Sequence, residues 1–389
     1  MRKAILPGAC VHGQPATLGV MGGGQLGRMF VHAAQAMGYF TAVLDPDAAS
    51  PAGRVSHHHI QTDYLDEKGL AQLMQRCSAI TTEFENVPAP ALMTLGAQRP
   101  VAPAAESVAI AQDRAAEKAH FVRCGVPVAP HALIHTAEQL GAVSTDLLPG
   151  ILKTSRMGYD GKGQVRVKTR EELTAAWAAL NNVPCVLEKM LPLKAECSVI
   201  VARGADGQMV NFPVQLNLHR AGILAVTTVH EGAVPAALAA QAVAATRAIA
   251  EGIHYVGVLC VEFFILEGGQ LVVNEMAPRP HNSGHYTMNA CDQSQFELQV
   301  RTLAGLPLTQ PHQHSPSIML NLLGDLWPAD ASPAWDTVLA LPGTHLHLYG
   351  KLAARPGRKM GHLNITGATP EAVRATALQA AALLGIAPF

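Results

Sequence analysis

The chain has 389 residues, more than one compact core usually takes and enough for two or three domains. Apolar residues make up 49% and charged residues 15%, with 34 Gly and 26 Pro, which excludes a disordered or coiled-coil chain. The 28 Lys and Arg against 29 Asp and Glu leave a net charge of −1. That balance excludes a broad basic surface for nucleic acid and gives no sign of a membrane-surface protein, while leaving room for a local basic pocket.

Residues 1–16 read as a loose extension without the h-region of a secretory signal. Beyond it, Leu18–Met21 is expected as a strand, Gln25–Gly38 as a helix, Thr41–Leu44 as a strand and Leu70–Arg76 as a helix. Ala79–Thr82 and Val101 follow as short strands. Strands alternating with helices imply a parallel sheet with crossover helices. Residues 105–125 read as helical. The middle changes to an α+β texture, with strand pairs at 151–154 and 164–168, at 197–203 and 208–215, and at 256–266 and 271–276. Helices are expected at 171–180 and 233–251. The Ala-rich stretch 233–250 is interrupted by Gln241 and Arg247, so no apolar run reaches the ~18–20 residues of a membrane span. A Pro-rich linker at 307–316 leads to strands near 344–349 and a helix at 370–384. The seven cysteines include no C-x-x-C and fit free thiols in a reducing compartment, so a cytoplasmic location is expected.

Gly22-Gly-Gly-Gln-Leu-Gly27 lies between a strand and a helix, with Asp45 eighteen residues beyond Gly27. This is the pattern of a dinucleotide-binding turn, in which glycines admit a pyrophosphate and the acid holds a ribose hydroxyl. A turn for another phosphate or sugar ligand, or a purely structural one, needs similar glycines. His57-His58-His59 reads as loop histidines, because adjacent side chains in an extended segment point to opposite faces. Thr81-Thr-Glu83-Phe-Glu85-Asn-Val-Pro88 falls at the carboxyl end of a parallel strand, where open α/β sheets bind ligands.

Lys153 precedes the loop Gly158-Tyr159-Asp160-Gly161-Lys162-Gly163-Gln164, and a second strand follows. A lysine beside a flexible glycine loop is a way to hold and cover phosphates without a Walker A helix. In the hairpin 256–266/271–276, Leu266 facing Leu271 across a four-residue turn would set Glu262 opposite Glu275. Like charges directly opposed in a sheet are destabilising, and a bound Mg²⁺ would reverse that penalty. Arg279-Pro-His281-Asn282 emerges directly from the second of these strands and could stabilise an anion. Lys351 with Arg355-Pro-Gly-Arg358-Lys359 forms a basic cluster suited to phosphate.

Together GGGQLGRM at 22–29, TTEFENVP at 81–88, GYDGKGQ at 158–164, NEMAPRPHNSGH at 274–285 and RPGRKMGHLN at 355–364 resemble the ATP-grasp superfamily. Within it they are similar to the N5-carboxyaminoimidazole ribonucleotide synthases of purine biosynthesis. The resemblance implies an α/β plus α+β ATP-grasp fold. Its parts are an extension (1–16), a Rossmann-like domain (17–110), a two-part ATP-grasp domain (111–305) and a small C-terminal domain (306–389). It implies a carbon–nitrogen ligase that uses ATP and bicarbonate to carboxylate aminoimidazole ribonucleotide through carboxyphosphate, with Mg²⁺ and without biotin, as a homodimer. Roles carry over by position. Arg114 and Lys153 would contact phosphate beneath the lid Gly158–Gln164. Glu188, Lys189, Met190 and Leu191 would read adenine, Glu196 the ribose, and His219 would belong to the nucleotide site. Glu262 and Glu275, with Asn274, would hold Mg²⁺. Arg279, His281 and Asn282 would bind bicarbonate, and Gln25, Glu83, Tyr159, Asp160, Lys351 and Arg358 the ribonucleotide, with Asp160 engaging its amine. Lys162 stands where relatives often carry Arg, which gives up bidentate phosphate geometry. The alternatives are a formate-dependent glycinamide ribonucleotide transformylase, an NAD-dependent oxidoreductase built on Gly22–Gly27 and Asp45, and a nucleotide-binding regulator without turnover.

Overall fold

In the computed structural model, residues 3–11, 13–158, 163–328 and 331–389 are described. The apolar runs Thr17–Met21, Phe40–Leu44 and Ala79–Thr82 form a parallel sheet with His58–Ile60, in the order 58–60, 40–44, 17–21, 79–82. The histidine run therefore supplies an edge strand, not a loop. The Nδ1 of His57 accepts the Thr41 N–H, and the Nε2 of His59 meets the Asp45 carbonyl. Helix Gln25–Ala36 buries Leu26, Met29, Phe30, Val31 and Ala34, the spacing of one apolar stripe turned to the core.

The expected helix 105–125 is two helices, Ala105–Ala111 and Arg114–Arg123. Asp113 is the cause: its carboxylate accepts the N–H groups of Ala115 and Ala116, so it starts a new helix where the first one stops. The extension is not loose. The Ile5 N–H donates to the Ala304 carbonyl at 2.9 Å, and the Tyr39 hydroxyl donates to the Ile5 carbonyl at 2.6 Å. Cys10–Val11 then pairs with Gln14–Pro15.

A four-stranded antiparallel sheet holds His131–Ile134, Cys185–Lys189, Gly150–Thr154 and Gln164–Val167 in that order. A nine-stranded sheet runs from Leu271–Ala277 through Gly257–Leu266, Leu193–Arg203, Gln215–Arg220 and Ile223–Val229 to Ser317–Leu323, Lys359–Thr366 and Thr344–Leu348, with Met209–Asn211 paired to Leu193–Arg203. The strands after the Pro-rich segment thus extend the central sheet, through pairs such as Val226 with Leu320. All seven cysteines are free, five of them buried. No helix among the described residues is long and apolar enough to cross a membrane.

Candidate active site

The glycine turn after Thr17–Met21 is filled from within. The Gly24 and Gly27 N–H groups donate to the two carboxylate oxygens of Glu83 at 2.6 and 2.8 Å, and the Gly23 N–H donates to Asp45 Oδ2 at 2.7 Å. Gly22 has φ +102°, which calls for glycine, and a Cβ on Gly24 would lie 2.3 Å from Glu83 Oε1, so a larger residue there must displace that carboxylate. The amides that a dinucleotide pyrophosphate would use are already engaged. Burial pushes the Glu83 carboxyl up, against the pull of these N–H groups.

Glu262 does face Glu275, although the turn assumed for it is wrong by one residue. Ile265, not Leu266, pairs with Leu271, and a β-bulge at Asn274 restores the offset between Phe263 and Glu262. Such a bulge re-aims side chains where it falls. Glu275 Oε2 meets Arg114 Nη1 at 3.0 Å, and Glu262 Oε1 lies 3.3 Å from His281 Nε2. Burial, and then the Glu275 charge, push the Glu262 carboxyl up to about 7. Two opposed carboxylates beside an amide oxygen make an oxygen-donor set suited to a hard cation. No group of three or more His, Cys, Asp or Glu able to hold a metal occurs among the described residues, so such a cation would complete its shell from a ligand.

Beyond this strand, Arg279 is paired with Glu85. Burial would raise the Glu85 carboxyl, but the Arg279 charge and hydrogen bond outweigh it and hold it at about 2. Burial, then the Arg279 charge, push His281 well below its ordinary range, and its Nδ1 is 2.9 Å from Ser283 Oγ. Asn282 is buried, and neither its amide oxygen nor its amide nitrogen has a hydrogen-bond partner. A buried amide left this way costs free energy unless a ligand satisfies it.

Elsewhere in the central unit, the Glu188 oxygens sit between Lys118 Nζ at 2.8 Å and Lys153 Nζ at 2.9 Å. Burial opposes ionisation there, but Lys153 and Lys118 bring the Glu188 carboxyl to about 2. Glu196 Oε2 meets His219 Nδ1 at 2.7 Å; that contact raises His219 against the effect of burial. The Lys189 and Met190 N–H groups donate to the carbonyls of Pro130 and Pro149, and Leu191 packs near Leu266 and Val272. Gly163 turns the chain at φ +70°, and Gln164 pairs with Lys153. Tyr159, Asp160, Gly161 and Lys162 lie outside the described residues.

These elements enclose a cleft of about 930 Å³. Gln25 and Glu83 line it from the first unit, and Arg114, Gly158, Glu262, Glu275, Arg279, His281 and Asn282 from the central one. Lys351 and Arg358 complete it from the last. Lys351 Nζ donates to the Lys359 carbonyl at 2.7 Å, and the Arg358 guanidinium to the Ala353 carbonyl at 2.8 Å. Lys153, Glu188, Glu196 and His219 do not line it; Lys153 Nζ donates to Asn274 Oδ1, beside Glu275, at 3.5 Å. Sequence reasoning missed Lys118, Glu117 and the Glu85–Arg279 pairing. Glu117 accepts the Met276 N–H at 2.7 Å, and burial pushes its carboxyl up to about 8. The four-residue spacing of Arg114 and Lys118 was the available signal, because it puts both on one helix face. A separate hollow of about 760 Å³ beside His131–Ile134 is lined by one acid, Asp146, and no lysine or arginine, so it offers phosphate nothing.

A strand carrying the buried Lys153 in one antiparallel sheet, with an acidic pair on facing antiparallel strands of another, fits an ATP-grasp ligase. Residues 119–296 match the ATP-grasp domain, residues 15–112 the ribonucleotide synthetase preATP-grasp domain, and residues 317–376 the phosphoribosylaminoimidazole carboxylase C-terminal domain. The N5-carboxyaminoimidazole ribonucleotide synthase of Brucella melitensis biotype 1 is 44% identical over 355 residues, spanning 90% of this chain and 95% of the relative. The synthetase of Staphylococcus aureus complexed with ADP is 38% identical, with a TM-score of 0.87 over 95% of this chain and 97% of that one. The synthase of Aspergillus clavatus in complex with ADP and 5-aminoimidazole ribonucleotide is 31% identical, with a TM-score of 0.87 over 95% of this chain and 99% of that one. The chain belongs to the N5-carboxyaminoimidazole ribonucleotide synthase family.

Proposed function

We propose that this chain carboxylates 5-aminoimidazole ribonucleotide on its exocyclic amine, using ATP and bicarbonate, by way of carboxyphosphate. The observation that carries this reading is the orphaned buried amide of Asn282. It lines the same cleft as His281, the acidic pair and the basic residues Lys351 and Arg358.

Arg114 and Lys153 hold the ATP phosphates, together with the glycine-rich segment Gly158–Gln164. Glu188 to Leu191 face the base, and Glu196 with His219 the ribose. Glu262, Glu275 and Asn274 fit Mg²⁺ by their oxygen donors; when bound, that ion offsets the charge on the phosphate oxygens. Arg279, His281 and Asn282 hold bicarbonate. A bicarbonate oxygen attacks the γ-phosphorus, the bond to the β-bridging oxygen breaks, and ADP leaves. The amine nitrogen then attacks the carboxyl carbon, the carbon–oxygen bond to phosphate breaks, and inorganic phosphate leaves. The amine loses one proton, for which Asp160 is the candidate acceptor. Carboxyphosphate is unstable in water, so a closed cleft protects it. Gln25, Glu83 and Tyr159 join Lys351 and Arg358 in holding the ribonucleotide. A cytoplasmic homodimer belongs to the same proposal and rests on the family resemblance.

The test is transfer of label from ¹³C-bicarbonate to the exocyclic nitrogen of the ribonucleotide, followed by carbon NMR. A carbamate resonance that requires ATP is the expected result. ATP-dependent turnover with no label in the ribonucleotide would remove this reading.

A further inference from the structure

Glu188 stands between two buried lysines, and only one of them is explained by the nucleotide. Lys118 lies four residues after Arg114 on helix Arg114–Arg123, and Lys153 on the strand that pairs directly with that of Glu188. The side chains of Lys118, Lys153 and Glu188 are 2%, 8% and 4% exposed, so water does little to screen them. Two cations share one anion, a net charge of +1 in a buried position. Burying an uncompensated charge is costly unless a partner arrives. Arg114 is not left over in the same way, since Glu275 matches it at 3.0 Å. Lys118 Nζ lies 2.8 Å from Glu188 Oε1, and with Lys153 it holds that carboxyl in its ionised form.

We propose that Lys118 is a positioning residue for the nucleotide phosphates: by taking one oxygen of Glu188 it keeps the charge of Lys153 from being cancelled. This rests on the nucleotide reading of the site. With Lys118 gone, Lys153 and Glu188 form a neutral one-to-one pair, and a phosphate must compete with the carboxylate for the ammonium. With both charges of the Lys118–Glu188 contact removed, Lys153 is again one free positive charge. The effect follows the charge count, not the shape of the side chain.

The experiment measures ADP and adenosine affinities by calorimetry or NMR titration for the wild-type chain, Lys118→Met, Lys118→Arg and the double variant Lys118→Met/Glu188→Gln. Lys118→Met is expected to lower the ratio of ADP to adenosine affinity about 10- to 100-fold, the size of one or two charge-assisted contacts, with no fall in melting temperature. Lys118→Arg and the double variant are expected to restore that ratio to within a few-fold of wild type. A double variant no better than Lys118→Met overturns the inference, as does parallel loss of ADP and adenosine binding in Lys118→Met. If Lys118→Met does not fold, the Lys118→Arg and double-variant ratios decide it. A wild-type chain that binds no ADP overturns the nucleotide reading itself and this inference with it. Wild-type binding left unchanged in Lys118→Met overturns the inference alone.

Discussion

Glu262 and Glu275 stand directly opposite one another on neighbouring antiparallel strands, held in that register by a one-residue bulge at Asn274. Opposed like charges cost stability in a sheet, and the Glu262 side chain is only 13% exposed, which leaves its charge poorly solvated. Glu262→Gln is therefore expected to raise the stability of the metal-free protein by about 1 kcal/mol while lowering ATP-dependent phosphate release ~100-fold or more. Thermal unfolding in chelator, set beside steady-state rates with Mg²⁺, checks both. Loss of stability together with activity would mean that the pair is structural.

Asn282 follows the same logic with a neutral group. Both polar atoms of its side chain are buried without partners, so replacing them with a similar apolar shape removes an unpaid desolvation. Asn282→Leu should leave melting temperature unchanged or higher, and should raise the KM for bicarbonate about tenfold with little change in the KM for ATP. Equal shifts in both constants would place the amide elsewhere in the reaction.

The Glu85–Arg279 pair gives a pH dependence with a definite sign. The Glu85 carboxyl sits at about 2, below its ordinary 4.5, because Arg279 favours the ionised form. A depressed carboxylate contributes stability above its unfolded pKa and loses it as pH falls through the folded value. That contribution, roughly 3 kcal/mol, should be present above about pH 4.5 and lost between about pH 4.5 and 2. Urea unfolding of wild type and Glu85→Gln should differ at pH 7 and converge towards pH 2. A difference that stays constant with pH would show that Glu85 acts by packing alone.

The glycine turn separates the ligase from a dinucleotide enzyme. Glu83 and Asp45 occupy the amides of Gly23, Gly24 and Gly27. The chain should show no saturable NADH fluorescence change, and Gly24→Ala, whose Cβ would meet Glu83 Oε1 at 2.3 Å, should destabilise by about 1–3 kcal/mol. Tight NADH binding would contradict this arrangement.

What could be read in the sequence was local. Alternation of strand and helix gave the parallel first sheet, and the spacing of glycines and Lys153 marked the hairpin of Gly150–Thr154 with Gln164–Val167. The opposition of Glu262 and Glu275 was reached through a turn that the structure does not have; the Asn274 bulge compensated by one residue. Partners brought from far along the chain were not legible. Glu85 meets Arg279 across 194 positions, and Glu188 meets Lys153 across 35, because side-chain pairing depends on sheet order rather than on local period. The central strand Cys185–Lys189 was missed, as was the continuity of Ile223–Val229 with Ser317–Leu323. A short buried strand carries no alternation to reveal it. Glu83 lay in a recognised motif, yet its use of both oxygens on the glycine turn required the two strands to be set side by side.

The most direct measurement is inorganic phosphate release from ATP with each substrate omitted in turn. The account predicts release only when bicarbonate and aminoimidazole ribonucleotide are both present with Mg-ATP. Release supported instead by formate and glycinamide ribonucleotide, or release indifferent to bicarbonate, would contradict it.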